Sequence, residues 1–437
     1  GAVRQAGLAA ERTAAVRHGR LMFRTACAWL LCLMVGTAGA ADYRAGPNDY
    51  RGYLNRLQAG DRLLLEPGDY LRGLPLHNLS GLPAKPIVIE AANPIAPPRF
   101  VARAGANTVS LVNVRNISLR HLELDGGNVP VDAIKAEGHS RYADFITLEN
   151  LHIHDHAASQ QNVGISTKCP AFGWVVRGNR IERVGTGMYF GDSDGSDPFV
   201  AGLIEENRVS DTLGYNLQIK HQKTRPAEYV GRHDTVIRYN LFSKASAQPG
   251  PQARPNVLLG HFPLADSGSE DRYLVHGNLF LHNPSEALFQ AEGRVALYDN
   301  VFINGSGDAI RIQPHNDVPR DIAIFSNTVL ASGVGIQVRQ AEGAIYRQRV
   351  IANVVAAGNP LSGGEAEHNF SMSYRPDLLD TAITEITSRL LAGGRASHGL
   401  PESLLRQLAS YPDWRWASRP GASVAPALAR TLGVSQP

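Results

Sequence analysis

The sequence predicts an all-β fold, a right-handed parallel β-helix with a short helical cap near its C-terminus. Three observations predict it: a recurring phrase built on Asn followed by apolar or β-branched residues, strand-period alternation around each copy, and Gly or Asn wherever the chain must turn. The phrase occurs in ENLHIHD, GNRIERV, ENRVSDT, YNLFSKA, GNLFLHN, DNVFING, SNTVLAS and ANVVAAG. It places Asn150, Asn179, Asn207, Asn240, Asn278, Asn300, Asn327 and Asn353 at intervals of 22 to 38 residues. A unit this short cannot bury its own apolar face, so each must stack on the next.

The chain divides into three parts. Residues 1–40 read as a leader: Met22 starts a short basic stretch, Ala26–Val35 is an apolar run, and Ala38-Gly39-Ala40 resembles a cleavage site. That run is too short to span a bilayer. Residues 41–370 carry the solenoid, in which runs such as FITLENLHI, TVIRYNLF and DIAIFSNTV alternate with the period of a strand. An Asn at one place in every coil tolerates left-handed backbone angles, and its amide can pair with the copies above and below. Residues 371–437 change texture: DLLDTAITEITSRLLAGG and PESLLRQLASYP have helical spacing of Leu and Ile, and Pro401-Glu402 suits a helix start. These segments are expected to cap the last coil, with the aromatic PDWRW stretch folding back as packing.

Composition narrows the partners. The leader holds five arginines against one glutamate, so the formal charge of +3 belongs to it and the remainder is close to neutral. Without a basic run, nucleic acid is excluded as a partner. Cys169 is the single cysteine after the leader, so a periplasmic or secreted monomer must be held by burial and hydrogen bonding without an internal disulfide.

The pattern over roughly Asp42 to Phe370 resembles the parallel β-helices of the pectate-lyase superfold. The segment LQAGDRLLLEPGDYLRGLPLHNLSGLPAKPIVIEAA, followed by VSLVNVRNISLRHLELDG, is similar to the first coils of alginate-lyase and chondroitinase-B-type lyases. That resemblance implies an acidic polysaccharide as substrate and a lysine base on an outward strand position. Epimerases, hydrolases and adhesins share such solenoids.

Aligning the strands after each turn predicts the groove. Ile134, Ile165, Met188, Leu217, Val257, Leu288, Ile310 and Ile336 should point inward. Outward positions then hold Lys135, Tyr189, Gln218 and Arg311, followed by Lys168, Lys220 and Arg339, and last by Asp192, His221, His261 and Glu292. Lys220, with His221, Lys223 and Arg225 nearby, is the candidate base, because neighbouring cations favour the neutral form that a base needs. His221 or His261 is the candidate acid. Lys135, Lys168, Tyr189, Gln218, Arg254, Arg311 and His315 are candidate substrate contacts. The partner arginine that the resemblance implies would fall near Leu259 or Gly260, so His261, Arg254 or Arg311 would have to replace it.

Two metal readings stand beside this. The turn GDSDGSD offers Asp192, Asp194 and Asp197 to calcium, and HIHDH places His152, His154 and His156 on one strand face suited to a transition metal. The Pro- and Gly-rich SAQPGPQARPN is expected to overhang the groove. Elimination on a uronate polymer is the expected activity. Epimerisation or hydrolysis in the same groove, and non-catalytic glycan binding, are the alternatives.

Overall fold

The computed structural model describes residues 39–138, 141–223, 225–245, 253–341, 343, 346–380, 400–415 and 421–422. Residues 1–38 of the leader, the segment 381–399 and residues 246–252 of the Pro-rich insertion therefore lie outside the described residues, as does Trp416. Contacts divide the chain into Gly1–Gly39 and Ala40–Pro437. The second unit is a right-handed parallel β-helix.

Each coil contributes to three parallel sheets. An entry sheet runs from Asp42–Ala45 through Ala143–Glu149, Asp234–Arg238 and Ile322–Phe325 to Glu365–Glu367. A middle sheet follows the asparagine turn and includes Glu123–Asp125, His152–His156, Arg180–Val184 and Leu241–Ser243. A groove sheet includes Ile134–Ala136, Val163–Thr167, Thr186–Phe190, Leu217–Ile219, Val257–Leu259, Phe289–Ala291 and Ile310–Ile312. In the last coils the middle and groove sheets merge into continuous strands, Thr328–Val338 and Val354–Ser362.

The asparagines stack into one ladder. From Asn179 to Asn353, each donates its backbone N–H and its side-chain amide to the Oδ1 of the next, at 2.9–3.0 Å, and Asn369 closes the series. The left-handed residue is not the asparagine but the one before it: Gly178, Glu206, Tyr239, Gly277, Asp299, Ser326, Ala352 and His368 all have φ between 52° and 64°. Asn150 departs from the series. It is itself left-handed, and Leu151 takes the ladder position, its N–H donating to Asn179.

The interior is apolar and stacked, as the alternation requires. Phe242, Phe280 and Phe302 form a column with ring centroids 5.4 and 4.4 Å apart. A one-turn helix, Arg51–Leu54, was not legible in the sequence; it closes the first coil by burying Tyr50 and Leu54 near Tyr70 and Phe100. Near the other end, the helix Glu402–Leu408 packs laterally rather than across the coil. Leu400, Leu404, Leu408 and Trp414 bury against Tyr298, Phe325 and Ile351 on the outer face of the entry sheet. Leu378 and Ala422 cover part of the middle sheet in the same coils. Among the described residues, neither segment joins a cluster with the groove sheet.

Candidate functional site

The groove sheet sets side chains in two outward columns. The first reads Lys135, Ser166, Tyr189, Gln218, Leu258, Gln290, Arg311 and Gln337 in register. Phe289, not Leu288, aligns with Val257 and Ile310. The expected alignment was one residue off in this coil because both residues are apolar and buried, so pattern alone could not choose between them. Backbone hydrogen bonds give the second column as Lys168, Gly191, Lys220, Gly260, Glu292, Gln313 and Arg339. Glu292 therefore belongs with Lys220, one position earlier than expected.

Tyr189 lies between the two lysines of that second column. The ammonium of Lys168 sits 4.0 Å from the centre of the Tyr189 ring, and that of Lys220 lies 6.0 Å from it. Lys168 also donates to the Gly191 carbonyl at 3.2 Å and approaches Asp192 at 3.7 Å. Burial, aided by Lys135, holds the Lys168 ammonium below its ordinary pKa, against the opposing pull of Asp192. Lys135 pairs with Asp132 at 3.6 Å. Gln218 is buried in the same column.

His221 and His261 face one another on adjacent coils, ring centroids 5.3 Å apart. They line a cleft of about 640 Å³ with Lys223, Leu264 and Asn316. The two rings are not equivalent. Burial first, then His261 and Lys220, hold the His221 imidazole below its ordinary pKa, and its Nδ1 is buried without a partner. His261 donates Nδ1–H to the Phe262 carbonyl at 2.7 Å, leaving Nε2 for proton exchange.

Gly260 explains why no arginine stands opposite Lys220. A Cβ there would collide with the backbone of Lys220 and His221, so the position accepts no side chain. Glu292, next in the column, is consumed structurally. Its carboxylate accepts the backbone N–H groups of His315 and Asn316, both at 2.6 Å, and the Asn316 amide at 3.1 Å. Those bonds hold it below its ordinary pKa even though burial pushes the other way.

The remaining expected residues disperse. Arg311 is bound to Asp308 at 2.5 Å and to Gln337 at 2.7 Å, in a separate cleft of about 770 Å³ with Arg339. His315 bonds to Gln290 at 3.0 Å. Arg254 lies near Tyr215, its guanidinium 6.0 Å from that ring. Beside it, Lys244 is buried and bonded to the Arg254 carbonyl, and burial pushes its ammonium down to about 8. Nothing in FSKAS marked that lysine as buried.

The two metal readings fare differently from expectation. Asp192 reaches toward Lys168, and Asp194 accepts the N–H of Ser196 within its own turn. The side-chain groups that approach ligand spacing among the described residues are instead Glu123–His152–His154 and Asp125–His154–Asp155. His156 leaves the face predicted for it. Asp155 is left-handed, which breaks the alternation and turns His156 inward, where it is fully buried and bonded to the Val131 carbonyl.

No protein-family model matches the chain, and no curated protein matches it. Among solved structures it is similar to a mannuronic acid specific polysaccharide family 6 lyase from human gut microbiota, at 13% identity over 90% of this chain and 98% of that one, with a TM-score of 0.40. Pectate lyase Pel9A is 15% identical over 81% of this chain and 85% of that one, TM-score 0.40. A GH136 lacto-N-biosidase from Eubacterium ramulus is 14% identical over 76% and 68%, TM-score 0.40. The fold these share does not select a reaction.

Proposed function

We propose that the chain is an exported lyase that cleaves an acidic, uronate-containing polysaccharide by β-elimination in the groove. The observation that carries this reading is the cationic stripe of Lys135, Lys168 and Lys220, with Tyr189 between the last two and the His221–His261 pair beside Lys220. Lys168 and Lys135 bind the uronate carboxylate, whose neutralisation acidifies the C5 proton. Lys220 takes that proton. The C5 electron pair forms the C4–C5 double bond, the C4–oxygen bond breaks, and His261 supplies a proton to the departing oxygen. His221, whose imidazole burial holds below its ordinary pKa, lines the cleft beside that acid. In this reading Arg311 and Arg339, which line a separate cleft of the same sheet, hold a further sugar.

Hydrolysis is less favoured, because it calls for two available carboxylates. Glu292 is saturated by amides, and Asp192 is drawn to Lys168. The leader pattern supports export.

The test is ultraviolet absorbance of the unsaturated uronate while the purified chain, without its leader, is incubated with alginate, pectate, hyaluronan and chondroitin or dermatan sulfates, with and without calcium. A rise that disappears in Lys220→Ala supports the lyase. A flat trace on every polymer overturns it; altered sugar composition without cleavage would then indicate an epimerase, and retention alone a binding module.

A further inference from the structure

The middle sheet carries a second cluster of chemistry-bearing side chains, on a different sheet from the groove. Three consecutive coils place Glu123 and Asp125, then His152 and His154, then Arg180 and Glu182 in register on its outer face. The His152 and His154 rings lie 4.4 Å apart. His154 Nε2 is 3.1 Å from Glu123 Oε1, and His152 Nε2 is 3.1 Å from Glu182 Oε1.

Asp155 orders this cluster. Its left-handed backbone turns its carboxylate back onto His154, where Oδ2 lies 2.7 Å from Nδ1, and Arg183 holds it from the far side at 2.7 Å. A ring that donates Nδ1–H to a carboxylate presents a lone pair at Nε2 when neutral. Here that lone pair points at a second carboxylate oxygen at hydrogen-bond distance. Such an arrangement is repulsive unless a cation stands between them, and the cation is either a proton or a metal ion.

We propose that Glu123, His152 and His154 form a binding site for a first-row transition cation of the zinc class, with Asp155 as the positioning residue that fixes the His154 tautomer. Imidazole with carboxylate is a ligand set suited to zinc, copper or nickel. Ligand atoms from the three residues already lie within 4.8 Å of one another. Zinc bonds of about 2.0–2.1 Å bring neighbouring ligand atoms to about 3.3 Å, so the site must contract slightly. His152 can supply that movement, since its side chain is 36% exposed. Glu182 or water completes the fourth position. Because Glu123 comes from one coil and the two histidines from the next, the ion would staple coils together, and the inference does not rest on the groove's activity.

The experiment uses chelator-treated, untagged protein titrated with zinc chloride by calorimetry and with cobalt(II) by visible absorbance. The expected result is one equivalent of zinc bound, intense four-coordinate cobalt bands, and a higher melting temperature with zinc. His152→Asn, which changes an exposed side chain and keeps the fold safe, and Glu123→Gln should each weaken binding at least about 10-fold, since even outer-shell partners are worth about 10–100-fold. Lys220→Ala should bind zinc unchanged. Absence of stoichiometric binding would overturn the proposal, leaving His154 bridged by a proton. One equivalent bound equally well by wild type, His152→Asn and Glu123→Gln would also overturn it, placing the ion elsewhere.

Discussion

The asparagine ladder and the lysine stripe are both polar columns made by stacking one coil on the next, yet they meet opposite fates. In the ladder every Oδ1 is taken by the coil before it and every amide by the coil after it, and Asn207, Asn240, Asn278, Asn300, Asn327 and Asn353 have no exposed surface. An asparagine is both donor and acceptor, so identical copies satisfy each other. An ammonium only donates, so identical copies repel. At the coil spacing of about 4.8 Å two ammonium groups in water would repel by about 0.9 kcal/mol, and at twice that distance by about 0.4 kcal/mol. Lys168 and Lys220 stand two coils apart with Gly191 between them in the column, which keeps the cost small. A self-complementary column closes on itself, whereas a lysine column must find its partners outside the column, as Lys168 does in Asp192 and Lys135 in Asp132.

The largest expected effect falls on the stripe. Lys220→Ala should lower the elimination rate by about 10²–10⁴-fold, the range for a lost general base, while the melting temperature stays put. Equal losses of rate and stability would make Lys220 structural and erase the contrast. Next comes the ladder: Asn278→Ala removes a buried amide that donates to Ile237, His276 and Asn300, and should cost about 2–4 kcal/mol in urea unfolding with no direct effect on chemistry. At the open end, Asn369→Ala should cost about 1 kcal/mol or less, because that residue is only half-buried. Similar costs at both positions would mean that the ladder does not act through burial.

Acid sharpens the comparison further. Burial pushes His276 down to about 4, where it stacks on Tyr298 with centroids 4.7 Å apart. A depressed histidine contributes stability that is complete above its unfolded pKa of about 6.5 and is lost as pH falls through its folded value. The unfolding free energy, measured by urea titration, should therefore drop between pH 6.5 and 4 by up to about 3 kcal/mol, and His276→Phe should flatten that fall. Asp155 and Glu182, both lowered to about 2, contribute in the same direction only below the ordinary carboxylate range, which separates the two windows. Within the histidine pair the smaller effect belongs to His221: His261→Asn should slow elimination by about 10²-fold and His221→Asn by less than about 10-fold, in keeping with one acid and one cleft wall. The reverse order would reassign the acid.

Much of this was legible beforehand because a solenoid repeats its instructions. The period of the asparagine phrase gave the coils, and strand alternation correctly put Tyr189 and Gln218 outward in register beside Ile165, Met188 and Leu217. Errors arose where one residue left the β region. A left-handed Asp155 reversed the side to which His156 points, and the left-handed residue proved to precede each ladder asparagine rather than to be it. Those angles are set by closing a coil onto its neighbour, and nothing in HIHDH announces them.

By itself, then, the sequence determined the parallel β-helix, its asparagine ladder and the cationic face, since these follow from local periodicity copied many times. Tertiary structure decided how each polar group is used: Glu292 saturated by the His315–Asn316 backbone, Gly260 barred from bearing a side chain, His221 buried with its pKa lowered, Lys244 buried beside Arg254. Those outcomes depend on contacts between coils and loops far apart in the chain, where desolvation and partner geometry set a side chain's charge and availability.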